Sequence, residues 1–329
     1  MKLAFLAFTE KGFALANCLA QALGGTVARC GKPEPLAEWT EKQFADAEGL
    51  VFVGAVGIAV RAIAPFIENK WTDPAVVAVD ERAQFAIPLL SGHLGGANSL
   101  ARAVSQVCGA QAVITTATDV NGVFAVDEWA RRQGLEVMEP QHIKVISGNL
   151  LAGKKVTVYS SCPVEGECPQ GVELMTAPPA HVAVSVGKED CLLSLVPRIL
   201  VLGVGCRKGT TQAVLEEVLE HFLRENRLWR EAICAVATID LKKEEPGLLD
   251  FCRFHGWEFH TCTGEELERV PGEFTSSAFV RQVTGVDNVC ERSAVAVSGG
   301  SLVARKFAAE GVTMAAAVKP IRLDWRWDR

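Results

Sequence analysis

PLLSGHLGGANSLARAV, residues 88–104, decides the architecture of the chain. FAIPLL (residues 85–90) reads as a buried strand, and Leu100, Val104 and Val107 recur at helical spacing, so SGHLGG between them is a strand-to-helix turn. A helix start carries unpaired N–H donors and about half a positive charge, which suits a carboxylate, a phosphate or a developing oxyanion. His93 stands beside those donors, with Ser91, Gly92, Gly95, Gly96 and Asn98 making up the rest of the turn.

Outward from this turn, short apolar runs alternate with helical patterns. KLAFLAF precedes a helix at 12–23, LVFVGA one at 58–66, AVVAVD and FAIPLL one at 98–108, and AVITT one at 124–132. That rhythm predicts βα units on a largely parallel sheet, in which ligands bind at the carboxyl ends of the strands. On this reading residues 54–57, 91–96 and 115–119 converge on one edge, with Thr115 and the carboxylates Asp80, Glu81 and Asp119 beside His93. Further along lie a helix at 141–151, a strand KKVTVYS and a turn-rich piece with Pro163, Pro169, Pro178 and Pro179, to which no chemistry can be attached. A second α/β pattern starts with RILVLGVGC, followed by a helix at 211–226, AICAVAT, a helix at 248–255, EFHTC and a helical segment at 277–284. The expected organisation is an N-terminal α/β domain with a largely parallel sheet (1–135), a small middle region (136–196) and a C-terminal α/β domain (197–329).

Composition limits the function. The chain has 329 residues, enough for two or three domains, and a formal charge of −6, which disfavours nucleic acid and gives no global attraction for an acidic ligand. No apolar run approaches the roughly 18 residues of a membrane span, and MKLAFLAFTEKG continues into a charged helix instead of a cleavage site, so a cytoplasmic protein with no membrane partner is expected. The eleven cysteines are odd in number, and Cys18, Cys108, Cys234 and Cys290 fall in apolar patterns, which reads as reduced, buried thiols.

GAVGIAVR lacks the third glycine and the acidic residue of a dinucleotide turn, so Gly54 and Gly57 are read as letting a substrate edge approach, with Arg61 one turn on to meet a carboxylate or simply solvated. GVGCRKGTT has its lysine before the glycine and fails as a nucleotide-phosphate loop. It leaves either an anion-binding turn of Arg207, Lys208, Gly209 and Thr210 with Thr211 beside them, or a plain capped helix. Cys252, His255, His260 and Cys262 are metal-like in composition, but their spacing reads as ordinary packing, and no metal site is expected. His93 either packs the turn or acts in catalysis. Ser91 is the less favoured nucleophile, since SGHLGG lacks the G-x-S-x-G elbow.

GAVGIAVRAIAPF (54–66), KWTDPAVVAVDE (70–81), VITTATDVNG (113–122), LGVGCRKGT (202–210) and GVDNVCERSAV (285–295), taken with the His93 turn, resemble the CbiG family of cobalt-precorrin-5A hydrolases of anaerobic cobalamin synthesis. The resemblance covers most of 1–121 and 198–320, in the family's order, and makes 291–298 a helix ended by the glycines of VSGG. It implies a hydrolase that opens the δ-lactone of cobalt-precorrin-5A and expels acetaldehyde. It implies a cobalt-corrinoid substrate, no cofactor of the protein's own because cobalt arrives inside the substrate, and transient contact with other cobalamin-pathway enzymes. In that setting His93 is read as a general base oriented by Glu81 or Asp119, with oxyanion donors from the 95–98 backbone, and Arg207 and Lys208 gripping substrate carboxylates. The competing classes are a non-catalytic corrinoid-binding or handover protein and, more remotely, a nucleotide-dependent enzyme.

Overall fold

The computed structural model describes residues 1–329 except Pro33, Lys70, Trp71, Leu94, Asp328 and Arg329, and the side chain of Phe279. Thus Leu94 of the His93 turn, and Lys70 and Trp71 of the KWTDP motif, lie outside the described residues. The fold is α/β, built on three mixed sheets, the first two largely parallel and the third half parallel and half antiparallel.

The first sheet contains β1 (Leu3–Ala7), β2 (Thr26–Arg29), β3 (Gly49–Val53), β4 (Ala75–Val79), β5 (Phe85–Leu90) and β6 (Gln111–Ala112), in the order β2-β1-β3-β4-β5-β6. LAFLA, GLVFV and AVVAV are buried on both faces, which is why they are unbroken apolar runs with no polar alternation. Helices α1 (Glu10–Leu23) and α4 (Ala97–Cys108) cover one face through Ala16, Leu19, Leu100 and Val104. Helices α2 (Leu36–Asp46) and α3 (Val56–Ile63) cover the other through Trp39, Ala59 and Ile63. The sequence pattern had not singled out β2 and α2, whose residues are less apolar.

The strand before the His93 turn departs from expectation. β5 pairs with β4 antiparallel, Val76 opposite Leu90 and Val79 opposite Ala86. Only five residues join the strands, a length that favours a hairpin. The Asp80 carboxylate closes the hairpin by accepting from the N–H groups of Arg82, Gln84 and Phe85, with Ala83 in a left-handed conformation at φ +55°. Burial opposes ionisation of Asp80, but the three N–H donors outweigh it and lower its pKa. β6 runs parallel to β5, so residues 91–96 and 115–119 leave the sheet at one edge. Gly54, Gly57 and Glu81 sit at the other, a strand length of roughly 15 Å away.

After α5 (Ala117–Val120) and α6 (Val126–Gln133) comes a second five-stranded sheet where only one strand was expected. It is built from β7 (Leu135–Val137), β8 (Val156–Ser160), β10 (Val172–Met175), β11 (Ala180–Val184) and β12 (Cys191–Pro197), in the order β10-β8-β11-β12-β7. Helix α7 (Ile143–Leu151) precedes β8, and the short strand β9 (Val164–Glu165) lies outside this sheet. Phe124, Val126, Trp129 and Ala130 of the α6 segment pack against this second sheet with Ile146, Val158 and Leu193, not against the first.

The third sheet has the order β15-β14-β13-β17-β16, from β13 (Leu200–Cys206), β14 (Ile233–Ile239), β15 (Glu258–Cys262), β16 (Leu302–Ala309) and β17 (Val312–Val318). Helices α8 (Gln212–Glu225) and α9 (Pro246–His255) lie on one face through Leu215, Phe222 and Phe251. The helices α10 (Gly264–Arg269), α11 (Ala278–Thr284) and α12 (Cys290–Ser298) follow β15. A Cβ on Gly203 would lie 1.8 Å from the Cys290 carbonyl oxygen, so only glycine lets α12 approach β13. Gly299 ends α12 in the left-handed conformation, as a glycine C-cap requires. From β17 the chain returns to the core beside the second sheet, where β18 (Leu323–Asp324) pairs with β9 in a separate two-stranded sheet.

All eleven cysteines are free; Cys290 is buried and Cys108 and Cys234 are half-buried, but Cys18 is exposed on the outer side of α1. Among the described residues no helix is long and apolar enough to cross a membrane.

Candidate active site

His93 is clamped between two carboxylates from different parts of the fold. Its Nε2 lies 2.9 Å from Asp119 Oδ2, in the short helix α5 that follows β6, and its Nδ1 lies 3.2 Å from Asp127 Oδ2, at the start of α6. Thr118 Oγ1 is a third neighbour, 3.2 Å from Nε2. Burial would push the imidazole towards neutrality, but the hydrogen bonds and charges of Asp119 and Asp127 outweigh it and raise the pKa from 6.5 to about 10. This clamp favours the imidazolium form of His93 at neutral pH, whereas the sequence reading has it as a general base.

Asp119 is saturated with donors. Oδ2 accepts from Asn98 Nδ2 at 3.0 Å and from the Thr116 hydroxyl as well as from His93, while Oδ1 accepts from Arg102 at 2.6 Å. Burial opposes ionisation of Asp119, yet these partners hold its pKa well below the usual carboxylate range. Asn98 also donates to Thr116 Oγ1 at 3.0 Å and reaches inward because Gly92 leaves room: a Cβ there would lie 3.0 Å from Asn98 Oδ1. Asn98 and Arg102 sit one turn apart on α4, so a single helix face supplies both donors.

His93, Asn98, Arg102, Thr118, Asp119 and Glu128 line a cavity of about 120 Å³, together with Gly122, Val123, Ala125 and Trp327. Glu128 is buried, accepting from Ser99 Oγ at 2.9 Å and paired with Arg131. The cavity thus lies where the first sheet's His93 loop meets α6 of the second sheet and the C-terminal tail.

Several expected members are elsewhere or otherwise engaged. Glu81, on the opposite sheet edge, accepts from Thr9 Oγ1 at 2.8 Å and is exposed; Asp127 occupies the orienting position beside His93 in its place. Gly54 is explained by packing, since a Cβ would lie 2.5 Å from the Phe8 ring, while Gly57 and Arg61 are exposed on that same far edge. Thr115 is exposed, and Thr116 and Thr118 make the contacts expected of it.

Three of the four backbone donors expected from the turn are also spent. Gly96 N–H donates to His93 O, Ala97 N–H to Ser91 O and Asn98 N–H to Gly92 O, at 2.8, 3.0 and 2.9 Å, so these three do not await an oxyanion. Gly96 is left-handed at φ +83°, and a Cβ on Gly95 would lie 2.3 Å from Ser91 Cβ, so both glycines shape the turn itself. Ser91 is held at φ +56° with its hydroxyl buried and without a partner among the described residues, and no base activates it as a nucleophile.

In the third sheet's turn, Gly209 N–H already donates to Glu245 Oε1 at 2.6 Å, and Thr210 Oγ1 donates to Arg207 O, so an internal carboxylate holds the place expected for a substrate's. Thr211 caps α8. Arg207 and Lys208 remain exposed. Of the metal-like quartet, Cys252 is buried with its thiol pushed up to about 12 by burial, and His255 bonds Glu216 at 2.6 Å and stacks on Trp257. His260 pairs with Glu258, and Cys262 packs in the core. Among the described residues no cluster of three or more metal-ligating side chains is present.

Asp127 and Glu128 escaped the sequence reading because a VDEW start looks like ordinary helix-dipole compensation. Trp327 gave no signal, being about 200 residues beyond the rest of the site.

Comparison with known proteins adds the following. The family Cobalamin synthesis G N-terminal matches residues 38–119, and Cobalamin synthesis G C-terminus matches residues 200–317. A cobalt-precorrin-5A hydrolase of Salmonella typhimurium is 33% identical over 345 residues, spanning 96% of this chain and 97% of that protein. A cobalt-precorrin-5A hydrolase of Priestia megaterium is 32% identical over 300 residues, spanning 84% of this chain and 80% of that one. A crystal structure described as a cobalamin biosynthesis protein G homolog from Sulfolobus solfataricus aligns over 97% of both chains at 22% identity, with a TM-score of 0.43.

Proposed function

This chain belongs to the cobalamin synthesis G family, and from that premise we propose that it is a cobalt-precorrin-5A hydrolase, opening the substrate's δ-lactone to give cobalt-precorrin-5B and acetaldehyde. The observation that carries the chemistry is the His93 imidazolium between Asp119 and Asp127 on the wall of a small cavity. At about 120 Å³ the cavity falls far below the 300–1,000 Å³ of pockets that enclose a whole drug-sized ligand, so it admits only the lactone corner of the macrocycle.

Water adds to the lactone carbonyl, and Glu128 takes its proton. The acyl C–O bond then breaks, and His93 protonates the departing oxygen, leaving a free ring acetate and a secondary alcohol. Neutral for the moment, His93 takes the hydroxyl proton back as that C–O becomes the aldehyde carbonyl; the C–C bond to the macrocycle breaks, and its electron pair passes into the conjugated ring. Asp119 and Asp127 stabilise the charged form of His93 and so return it to the acid state. Cobalt enters and leaves as part of the substrate. Arg207 and Lys208, being exposed, remain available for peripheral carboxylates.

Purified protein freed of added metal and nucleotide should release acetaldehyde from cobalt-precorrin-5A made in the same vessel by the preceding enzymes. Oxygen from labelled water should appear in the new ring acetate; an unlabelled acetate would move the attack to the alkyl carbon. Tight corrinoid binding without acetaldehyde would make the chain a handover protein, and a requirement for ATP or a nicotinamide would overturn the cofactor-free scheme.

A further inference from the structure

The chain's C-terminal segment travels from the third sheet back to the reaction cavity, and it is anchored on the way. Leu323 and Asp324 pair with Val164 and Glu165; the Trp129 indole N–H donates to Asp324 O at 2.6 Å, and Gln133 Nε2 donates to Asp324 Oδ1 at 3.1 Å. Trp325, 5% exposed, stacks on Trp129 with centroids 5.1 Å apart and planes at 16°. Two residues on, Trp327 meets Phe124 edge-on at 5.3 Å and 80°. Unlike Trp325, Trp327 is only half-buried, and it lines the cavity that holds His93, Asp119 and Glu128.

Six of its ten lining residues are polar or charged, and the apolar side chains beside the indole are the small ones of Val123 and Ala125. The indole is the single large flat surface among its lining residues. A substrate whose lactone corner enters a space of about 120 Å³ must leave its conjugated macrocycle at the rim, where an apolar planar face needs an apolar planar partner. We propose that Trp327 is a substrate-binding residue, its indole packing on the macrocycle beside the lactone, so that the C-terminal tail completes a site whose chemistry comes from the first sheet and α6. The inference rests on the corrinoid reading above and adds to it the residue that positions the ring.

The test uses the full chain carrying Trp327→Ala, Trp327→Phe or, as a structural control, Trp325→Ala. The readouts are KM and kcat for acetaldehyde release, Kd for cobyrinic acid by absorbance titration, and the melting temperature. Trp327→Ala should raise KM and Kd roughly tenfold, the size expected for a lost stacking contact, with the melting temperature close to wild type. Trp327→Phe should recover most of the loss. Trp325→Ala, which removes a buried stacked ring, should lower the melting temperature instead. Unchanged KM and Kd in Trp327→Ala overturn the proposal, as does a loss of binding that only accompanies a fall in melting temperature like that of Trp325→Ala. If wild type binds cobyrinic acid but releases no acetaldehyde, the hydrolase reading falls while the Kd comparison still decides the role of Trp327.

Discussion

Replacing Asp127 by Asn removes one of the two charges that keep His93 protonated while preserving shape, and the Asn oxygen can still accept from Glu128 N–H as Asp127 Oδ1 does at 3.1 Å. In the native protein the pair lifts His93 from 6.5 to about 10 against the opposing effect of burial. A single carboxylate in contact shifts a partner by about 1–3 units, so loss of Asp127 should lower the His93 titration by roughly two units, to near 8. Because the folded pKa is raised, protonation of His93 stabilises the fold fully below about 6.5, and this contribution disappears as pH rises to 10 in the native protein but already by about 8 in the variant. The part of the stability difference linked to His93 should thus be about 3 kcal/mol at pH 7 and fall away above pH 10. NMR titration of labelled imidazoles, with the His93 signal assigned by its loss in His93→Gln, reads the pKa directly. The same proton controls turnover if His93 is the acid: kcat/KM should fall on the alkaline side near pH 10, and near 8 in Asp127→Asn. A native His93 titrating near 6.5, or a kcat/KM that rises through pH 6–8 with no alkaline limb that moves in the variant, would refute the clamp as the source of reactivity.

His93→Gln and Glu128→Gln should each lower kcat at least roughly a hundredfold with little change in corrinoid Kd, as for lost proton transfer; near-native turnover in steady-state assays of either would remove that residue from the mechanism. Gly95→Ala should destabilise the chain by about 1–3 kcal/mol in urea unfolding, because its Cβ would stand 2.3 Å from Ser91 Cβ; an unchanged midpoint would show that the turn can relax. Arg207 and Lys208 are exposed, so replacing both by Ala should raise KM by roughly threefold to tenfold at low salt and hardly at all at 0.5 M salt; no change at low salt would exclude this turn from substrate binding.

How much of this was legible in the sequence depended on whether the signal was local. The unbroken apolar runs of β1, β3 and β4, the strand-to-helix turn at His93 and the glycine stop after α12 are all set by neighbours within a few residues, and the structure has them where the pattern puts them. The pairing of His93 with Asp119 was legible too, since both follow strands that end at one edge. Placing the ends of LVFVGA and FAIPLL at one edge was an error that the spacing argued against, because a five-residue connection between AVVAVD and FAIPLL favours a hairpin. The internal use of the Gly96, Ala97 and Asn98 N–H groups was not legible: their acceptors are loop carbonyls, which every sequence possesses. The second sheet was missed because its strands are short and separated by proline and glycine turns, so that no single run stands out, although the buried VAV of β11 and the LSLVP of β12 already carry the apolar character of a core.

The hairpin also explains where the site is. Had β5 run parallel to β4, the His93 turn would open beside Gly54 and Glu81, at the edge where a doubly wound sheet ordinarily binds its ligand. Reversal of the chain at Asp80 to Gln84 carries it to the far edge, within reach of α6, which belongs by packing to the second sheet. His93 and Asp119 come from the first sheet, Asp127 and Glu128 from a helix of the second, and Trp327 from the tail that has left the third. The second sheet, unremarkable as sequence, is thus the part of the fold on which α6 packs to bring the second carboxylate to the histidine and beside which the tail is anchored. A chain lacking residues 123–197 would lose both Asp127 and the surface on which the tail is pinned, and with them the charge balance that favours the protonated form of His93.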